Sequence, residues 1–443
     1  MDNFYKRDEC SISDIMKLRF NPLVADRGEG IYIYDIKDKR YIDFSSNWGV
    51  VNTGYSHPKV NYAIKNQLEK LSFVSTITII NEESIILAEK LKKLTPGNFK
   101  KKVWFGLSGS DANEMIYKAI SVDNKKNKII SFTGSYHGQS IGSYSMSGHP
   151  MQKKSYASNV IKIPYPYCYR CPFSKEEKSC ERECLKFIKD YLLNLAYSPD
   201  SIGALIAETI QCDGGVVPMP YGYLENLYNI LKKNGIFLII DEVKIGFGRT
   251  GYFFSYEKQK IIPDAVVMGK SIASGLPLSA VVGRREILDK EEGLHLFTTS
   301  GSPISARASI ATILVINEEK LVENSSEMGR ILMESLNDLL KKFDQIGDVR
   351  GRGLVVGIEI VKDKKSKIPD AKLAAMISYN CYEKGLILYP VGIFSNVLEI
   401  TPPLIINKEE IYEAVSILES AIYECIKGDF DASKLENFCG WAL

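Results

Sequence analysis

The sequence has little net charge and no long apolar run. Its 443 residues carry 56 lysines and arginines against 54 aspartates and glutamates, so the formal net charge is only +2. This balance gives no electrostatic reason to expect binding to nucleic acid or to an anionic membrane. No stretch offers the roughly 20 consecutive apolar residues of a membrane-spanning helix, and the polar, acidic start MDNFYKRDECSISD is unlike a secretory signal peptide. We therefore expect a cytoplasmic protein with no nucleic-acid or membrane partner.

Histidines are scarce, and the cysteines do not suggest a disulfide framework. The chain has four histidines, so a histidine-rich metal centre is not expected, and most of its nine cysteines would be free thiols in a reducing cytosol. Four cysteines cluster as Cys168-x-x-Cys171 and Cys180-x-x-x-Cys184. This spacing is compatible with a structural tetrahedral zinc site, but also with unlinked cysteines one helical turn apart. We predict no catalytic metal.

The length and the order of apolar segments favour an α/β protein with more than one domain. A chain of 443 residues exceeds what one simple core usually organises. Its hydrophobic content of 45% and charged content of 25% are those of an ordinary globular protein. Short apolar runs of strand length alternate with segments of helical spacing, such as 82–94 and 223–233. This alternation predicts helices packed on a sheet.

Two apolar runs within 237–270 each lead to a charged residue. The run FLII ends at Asp241, and the run AVVM is followed by Gly269 and Lys270. Ligands of open α/β sheets bind outside the carboxyl ends of the strands, so Asp241 and Lys270 are expected to face one crevice. Such a pair suits pyridoxal phosphate (PLP), which needs a lysine for its Schiff base and an acid for its pyridinium nitrogen. For either residue alone, the alternative is an ordinary surface salt bridge.

The motif DEV-x-x-G-x-GRTG, followed by a strand that ends in GK, resembles class III (ornithine/4-aminobutyrate-type) PLP-dependent aminotransferases of fold type I. Matching segments extend from about Tyr32 to about Ile406. The resemblance implies a large domain around a mostly parallel seven-stranded sheet and a small α/β domain formed by N- and C-terminal segments. We expect 1–65 to belong to the small domain, 66–310 to form the PLP-binding domain with a cysteine-rich insertion at 165–185, and 311–443 to form the C-terminal small α/β domain.

The resemblance also implies roles for individual residues. Lys270 would form the Schiff base and then move the proton from the substrate Cα, while Asp241 would keep the ring nitrogen protonated. Gly109 and Ser110 would hold the phosphate, and their predicted place at a helix N-terminus independently suits an anion. Thr298 would complete the phosphate site from a second subunit, which implies a homodimer. The remaining residues implied to contact the cofactor are Tyr136, His137, Glu208, Gln211 and Val243.

Glu399 is the most informative departure from the family pattern. In VLEITPPL the family has an arginine at this position, which binds the substrate carboxylate, and the arginine that often follows the His-Gly pair is here Gln139. Lys244 adds a cation where most relatives have glutamine, and Asp213 occupies an acidic gate position. Three explanations stay open: Glu399 attracts an amine substrate, Lys244 or backbone donors hold the carboxylate, or Glu399 faces outward. Trp48 is expected to be a wall of the substrate pocket, or else a buried plug.

Two reactions fit these residues. The first is transfer of an amino group from an ω-amino acid of the 4-aminobutyrate type, or a related amine, to a 2-oxo acid. The second is amino-acid racemisation or epimerisation, because SGSDA, YHGQS, IGDVRGRGL and ITPPL also resemble archaeal racemases of the same fold. Both reactions need Lys270, Asp241 and Tyr136. We predict the aminotransferase and keep the racemase as the alternative.

Overall fold

A seven-stranded sheet organises the middle of the chain. The computed structural model describes residues 3–152, 156–438 and 440. In order across this sheet, the strands are β4 (Lys101–Gly106), β12 (Ser279–Arg284), β11 (Ala265–Met268), β10 (Phe237–Asp241), β7 (Ile202–Ala207), β5 (Lys128–Phe132) and β6 (Val160–Ile163). Strand β12 runs antiparallel to both neighbours, and the other four pairings are parallel. The predicted seven-stranded, mostly parallel sheet is confirmed.

The central strands are largely apolar and buried because helices cover both faces of the sheet. All six residues of β7 and all four of β11 are buried.

None of the helices in the described residues combines the length and the apolar composition of a membrane span. The α-helices are α1 (Asn3–Ser11), α2 (Ser46–Gly49), α3 (Pro58–Lys70), α4 (Glu82–Leu94), α5 (Gly109–Ser121), α6 (Ile141–Met146), α7 (Glu183–Lys186), α8 (Tyr223–Lys233), α9 (Arg285–Leu288), α10 (Pro303–Glu318), α11 (Leu321–Lys342), α12 (Ala371–Glu383) and α13 (Lys408–Lys427).

The N- and C-terminal segments share a sheet, as the small-domain prediction requires. In the first smaller sheet, Leu386 pairs with Ile42 in parallel and joins the C-terminal segment to the N-terminal hairpin. This sheet contains β1 (Ala25–Glu29), β2 (Tyr32–Asp35), β3 (Arg40–Asp43) and β15 (Leu386–Ile387). A second sheet contains β13 (Ile346–Arg352), β14 (Val355–Ile360), β17 (Val397–Ile400) and β16 (Tyr389–Val391), and a hairpin pairs β8 (Ile210–Gln211) with β9 (Val217–Pro218). The domain boundaries at 65 and 310 stay predictions.

The cysteine-rich insertion has only short elements of regular structure. It contains 3₁₀ turns at Cys168–Arg170 and Glu177–Ser179 and the one-turn helix α7, and it leads into a π-helix at Phe187–Ala196. Arg170 fixes it to the C-terminal sheet through an ion pair of 2.6 Å with Glu359, which is fully buried. The insertion is thus joined to a part of the chain almost 190 residues away.

Candidate active site

The carboxyl ends of β10 and β11 open into a cavity of about 330 Å³. Asp241 is the last residue of β10, and Lys270 follows the end of β11 by two positions. The two strands are parallel neighbours, with Asp241 opposite Val267, so both charged residues reach the same edge of the sheet. Both side chains line the cavity. The crevice predicted from the two strand ends is therefore present.

Three neighbouring residues make polar contacts with the Asp241 carboxylate. Its Oδ2 accepts a hydrogen bond from Asn113 Nδ2 at 2.8 Å and lies 2.8 Å from His137 Nδ1, and its Oδ1 accepts from the backbone N–H of Val243 at 3.0 Å. The carboxyl group is 4% exposed. These contacts fix its orientation, which the partner of a pyridinium nitrogen requires. Asn113 was not among the predicted residues; its only sequence signal is its place one turn beyond Gly109 on α5.

The N-terminus of α5 also lines the cavity. Ser108 caps this 13-residue helix in a capping box with Asp111, and Ser108, Gly109 and Ser110 all line the cavity. A Cβ added to Gly109 would lie 2.7 Å from Val243 Cγ1, so only glycine allows this close approach. Unpaired backbone N–H groups, the helix dipole and two hydroxyls together form a site for a dianion. The residues present therefore fit the phosphate of PLP.

Lys270 and Glu208 have shifted pKa values in this cavity. Burial lowers the pKa of Lys270, and the Lys244 ammonium lowers it further. Burial raises the pKa of Glu208 well above its ordinary value, and Asp241 and Asp213 add to the effect. Lys270 also has a left-handed backbone (φ 48°), a conformation that costs a non-glycine residue free energy and therefore needs support from the surrounding structure. Both pKa shifts favour the uncharged form of the side chain, and such shifts are typical of functional sites.

The structure brings most of the predicted site residues together. The predicted residues that line the cavity are Gly109, Ser110, Tyr136, His137, Glu208, Asp241, Val243, Lys244 and Lys270. Four others are not among the lining residues: Trp48, Gln211, Thr298 and Glu399. Gln211 donates to the backbone oxygen of Thr133 at 3.1 Å, and Thr298 is exposed. Several apolar lining residues were not predicted because nothing in the sequence marks them: Val50, Ile210, Ile245, Leu276 and Leu278.

Glu399 is buried and ion-paired. It is 2% exposed, and each of its carboxylate oxygens lies 2.9 Å from Lys244 Nζ. The explanation in which Glu399 faces outward is therefore wrong. Lys244 also lies 3.4 Å from Asp213 Oδ1 and 5.1 Å from the ring centroid of Trp48. Trp48 stacks on Tyr389, with 5.2 Å between the ring centroids.

The four clustered cysteines line one small pocket. Cys168, Cys171, Cys180 and Cys184 surround it, and all four are free thiols. Burial raises the pKa of Cys168 and of Cys184 to about 11. Within the described parts of the chain, no group of three or more histidine, cysteine, aspartate or glutamate side chains is arranged to hold a metal ion. The zinc interpretation has no structural support.

Comparisons with known proteins identify the family. The sequence profile of the family described as "Aminotransferase class-III" matches residues 16–422. The chain is 39% identical to the leucine/methionine racemase of Thermococcus litoralis, over 96% of each protein. It is 37% identical to the alanine/serine racemase of Pyrococcus horikoshii, over 96% of this chain and 90% of the relative. It is 34% identical to a probable 4-aminobutyrate aminotransferase of Bacillus subtilis, over 91% of this chain and 93% of the relative.

Solved structures agree with this assignment. An ω-transaminase from Pseudomonas jessenii, a six-fold mutant, superimposes with a TM-score of 0.86 at 30% identity, covering 92% of this chain and 94% of that one. The P. jessenii enzyme in complex with PMP superimposes with the same TM-score at 30% identity. The superposition covers 92% of this chain and 93% of that one. The predicted fold type I and the PLP cofactor are confirmed. The chain belongs to the class III aminotransferases, a family of PLP-dependent enzymes.

Proposed function

We propose that this protein transfers an amino group from an ω-amino acid of the 4-aminobutyrate type, or a related amine, to a 2-oxo acid. The observation that carries the proposal is the placement of Lys270 in a cavity that also holds a fixed Asp241 and an anion site at the N-terminus of α5. The likeness to aminotransferases supports it. We also propose the cytoplasm as its location, as the sequence predicts.

The residues of the chain divide the work of such a reaction between them. When bound, PLP supplies the electron sink for the negative charge that forms at the substrate carbon. Burial lowers the pKa of Lys270, which favours the uncharged amine needed to accept the proton from this carbon and return it at a different position. Asp241, oriented by Asn113 and His137, keeps a proton on the ring nitrogen. Tyr136 and Val243 both line the cavity and would hold the ring in place.

Racemisation or epimerisation of an amino acid is a second candidate. Two relatives named as racemases are 39% and 37% identical to this chain, whereas the probable 4-aminobutyrate aminotransferase of Bacillus subtilis is 34% identical. A third relative is named isoleucine 2-epimerase, at 35% identity over 96% of this chain. A racemase would need the same proton transfer by Lys270, with return of the proton to the opposite face of the same carbon. The two candidates therefore differ in the position of the second proton transfer.

One experiment separates these candidates. The purified, PLP-loaded protein is mixed with a panel of amines and amino acids in the absence of any oxo acid. Formation of pyridoxamine phosphate, reversed by a 2-oxo acid, supports the aminotransferase and identifies its donor. Loss of optical activity with the cofactor unchanged would establish the racemase and contradict the proposal. Lys270→Ala serves as the control and is expected to abolish both reactions while the protein stays folded.

We further propose that the protein is a homodimer in which Thr298 contributes to the partner's phosphate site. Thr298 is exposed, and its backbone oxygen accepts a hydrogen bond from Ser75 Oγ at 2.8 Å. Ser75 lies within a segment rich in exposed apolar side chains, including Ile79 and Ile80 at 58% and 84% exposure. Burial of these side chains would favour association. An active monomer in sedimentation experiments would contradict this proposal.

A further inference from the structure

The cavity offers a substrate very few positive charges. Among the described residues that line it, the cationic side chains are Lys244 and Lys270, and no arginine is present. Lys270 is committed to the cofactor. Arg249, from the GRTG motif, donates to the backbone oxygens of Leu354 and Pro402 and does not line the cavity. Among the described residues that line the cavity, Lys244 is therefore the cation that remains for a substrate carboxylate.

Lys244 is held between two carboxylates of different accessibility. Glu399 lies behind it, buried and outside the cavity lining, and both of its oxygens are 2.9 Å from Lys244 Nζ. Asp213 lines the cavity and makes the longer contact, 3.4 Å. The Asp213 carboxylate thus occupies the place at the ammonium group where a ligand carboxylate would bind. Glu399 is the partner that holds Lys244 in position.

Electrostatics limit how many carboxylates the cavity can accept. Burial raises the pKa of Asp213, but Lys244 and Lys270 outweigh this effect and lower the pKa overall, so Asp213 is ionised. A ligand carboxylate that displaces Asp213 from Lys244 replaces one anion by another at the same cation. After this displacement, the Asp213 carboxylate still interacts electrostatically with Lys270. A second ligand carboxylate would have no cation in the described lining, and a buried, unpaired carboxylate is strongly unfavourable.

The rest of the wall suits an uncharged group. Apolar side chains line the cavity beside Lys244, namely Val50, Ile210, Ile245, Leu276 and Leu278. We propose that the site takes substrates with a single carboxylate and an otherwise uncharged skeleton, that Lys244 binds this carboxylate in place of Asp213, and that dicarboxylates such as glutamate and 2-oxoglutarate are excluded. This inference rests on the proposed function, because it specifies the donors and acceptors of that same site.

The test measures binding of unreactive carboxylates to the PLP-loaded protein by calorimetry. 4-Methylpentanoate, which is leucine without its amino group, is compared with glutarate, which is glutamate without its amino group. The monocarboxylate should bind at least about tenfold more tightly, because the second carboxylate of glutarate would enter the cavity without a cation among the described lining residues. Equal or tighter binding of glutarate would overturn the inference.

Variants assign the effect to Lys244. Lys244→Met should weaken binding of 4-methylpentanoate at least about tenfold, and Lys244→Arg should retain it. If Lys244→Met unfolds because Glu399 is left unpaired, the double variant with Glu399→Leu removes the buried pair together and must show the same loss. Unchanged affinity in a folded variant without a cation at position 244 would refute the role of Lys244.

Failure of this inference differs from failure of the proposed function. If no amine or amino acid converts the cofactor, but 4-methylpentanoate binds through Lys244, the proposed function is wrong and the carboxylate site stands. If transamination occurs with glutamate and 2-oxoglutarate as readily as with alanine and pyruvate, the proposed function stands and the inference about substrate charge is wrong.

Discussion

Glu359 joins the cysteine-rich insertion to the C-terminal sheet, and its replacement by glutamine tests the strength of this joint. Glu359 is fully buried on β14. Its carboxylate lies 2.6 Å from Arg170 Nε and 2.7 Å from Arg350 Nη1, and Tyr167 Oη donates to it at 2.5 Å. One carboxylate therefore faces two guanidinium groups. Glu359→Gln keeps the shape of the side chain and removes its charge.

The expected loss in the free energy of unfolding depends on the contacts that Arg170 and Arg350 keep after the substitution. Removal of one partner from a buried ion pair typically costs about 3–5 kcal/mol, because the other charge is left uncompensated. Arg350 keeps an ion pair with Asp348 at 2.9 Å, and the side chain of Arg170 is 18% exposed and so partly hydrated. We therefore expect a loss at the lower end, about 3 kcal/mol, in the free energy of unfolding measured with urea.

A local measurement distinguishes a joint from a general loss of stability. Amide hydrogen exchange in 165–185 should accelerate more in Glu359→Gln than exchange in the strands of the seven-stranded sheet. Glu334→Gln is the control. Glu334 forms an ion pair with Arg330, and their side chains are 64% and 61% exposed, respectively. Such exposed pairs contribute little to stability. A loss below about 1 kcal/mol, or equal acceleration throughout the chain, would refute this account of the joint.

Three further predictions concern the active-site region. Burial raises the pKa of Glu242 from 4.5 to about 8, so between these pH values the folded protein binds a proton that the unfolded chain has released. The free energy of unfolding should therefore fall as pH rises from 4.5 to about 8. Glu242→Gln should remove this pH dependence in urea-denaturation measurements. Ser108→Ala removes the N-cap that binds the Asp111 N–H at 3.3 Å, and should cost about 1 kcal/mol and weaken PLP retention on dialysis. Asp241→Asn should slow single-turnover conversion of the cofactor on the order of 10²-fold while PLP stays bound.

The central strands and the two principal site residues were predictable from the sequence. The predicted helices at 82–94 and 223–233 and the strand AVVM at 265–268 have the observed bounds. Buried parallel strands are short, apolar throughout and separated by helices, so their ends are clear in the sequence. Asp241 and Lys270 follow two such ends, and the geometry of parallel strands then places them at one edge.

Side chains whose role depends on distant contacts were not predictable. Asn113 reaches Asp241, which is 128 residues away, and nothing in its own helix marks that contact. The face of Glu399 was also undetermined, because an alternating pattern identifies the exposed face only when one side of a sheet meets solvent. All four residues of β17 are buried, so VLEI has no exposed face. The charge of Glu399 is paired with Lys244, which lies in a loop 155 positions earlier.

The ion pair between Lys244 and Glu399 also joins two parts of the fold. Lys244 lies three residues after Asp241, at the edge of the seven-stranded sheet, whereas Glu399 lies on β17 of the C-terminal sheet. A change at Lys244 therefore removes a cavity cation and a contact between the two sheets at once. Glu399→Gln separates these effects, because it leaves the ammonium group in the cavity and removes the charge that attaches it to β17. Lower stability with retained binding of 4-methylpentanoate in Glu399→Gln would show that the anchor and the joint are distinct contributions of one lysine.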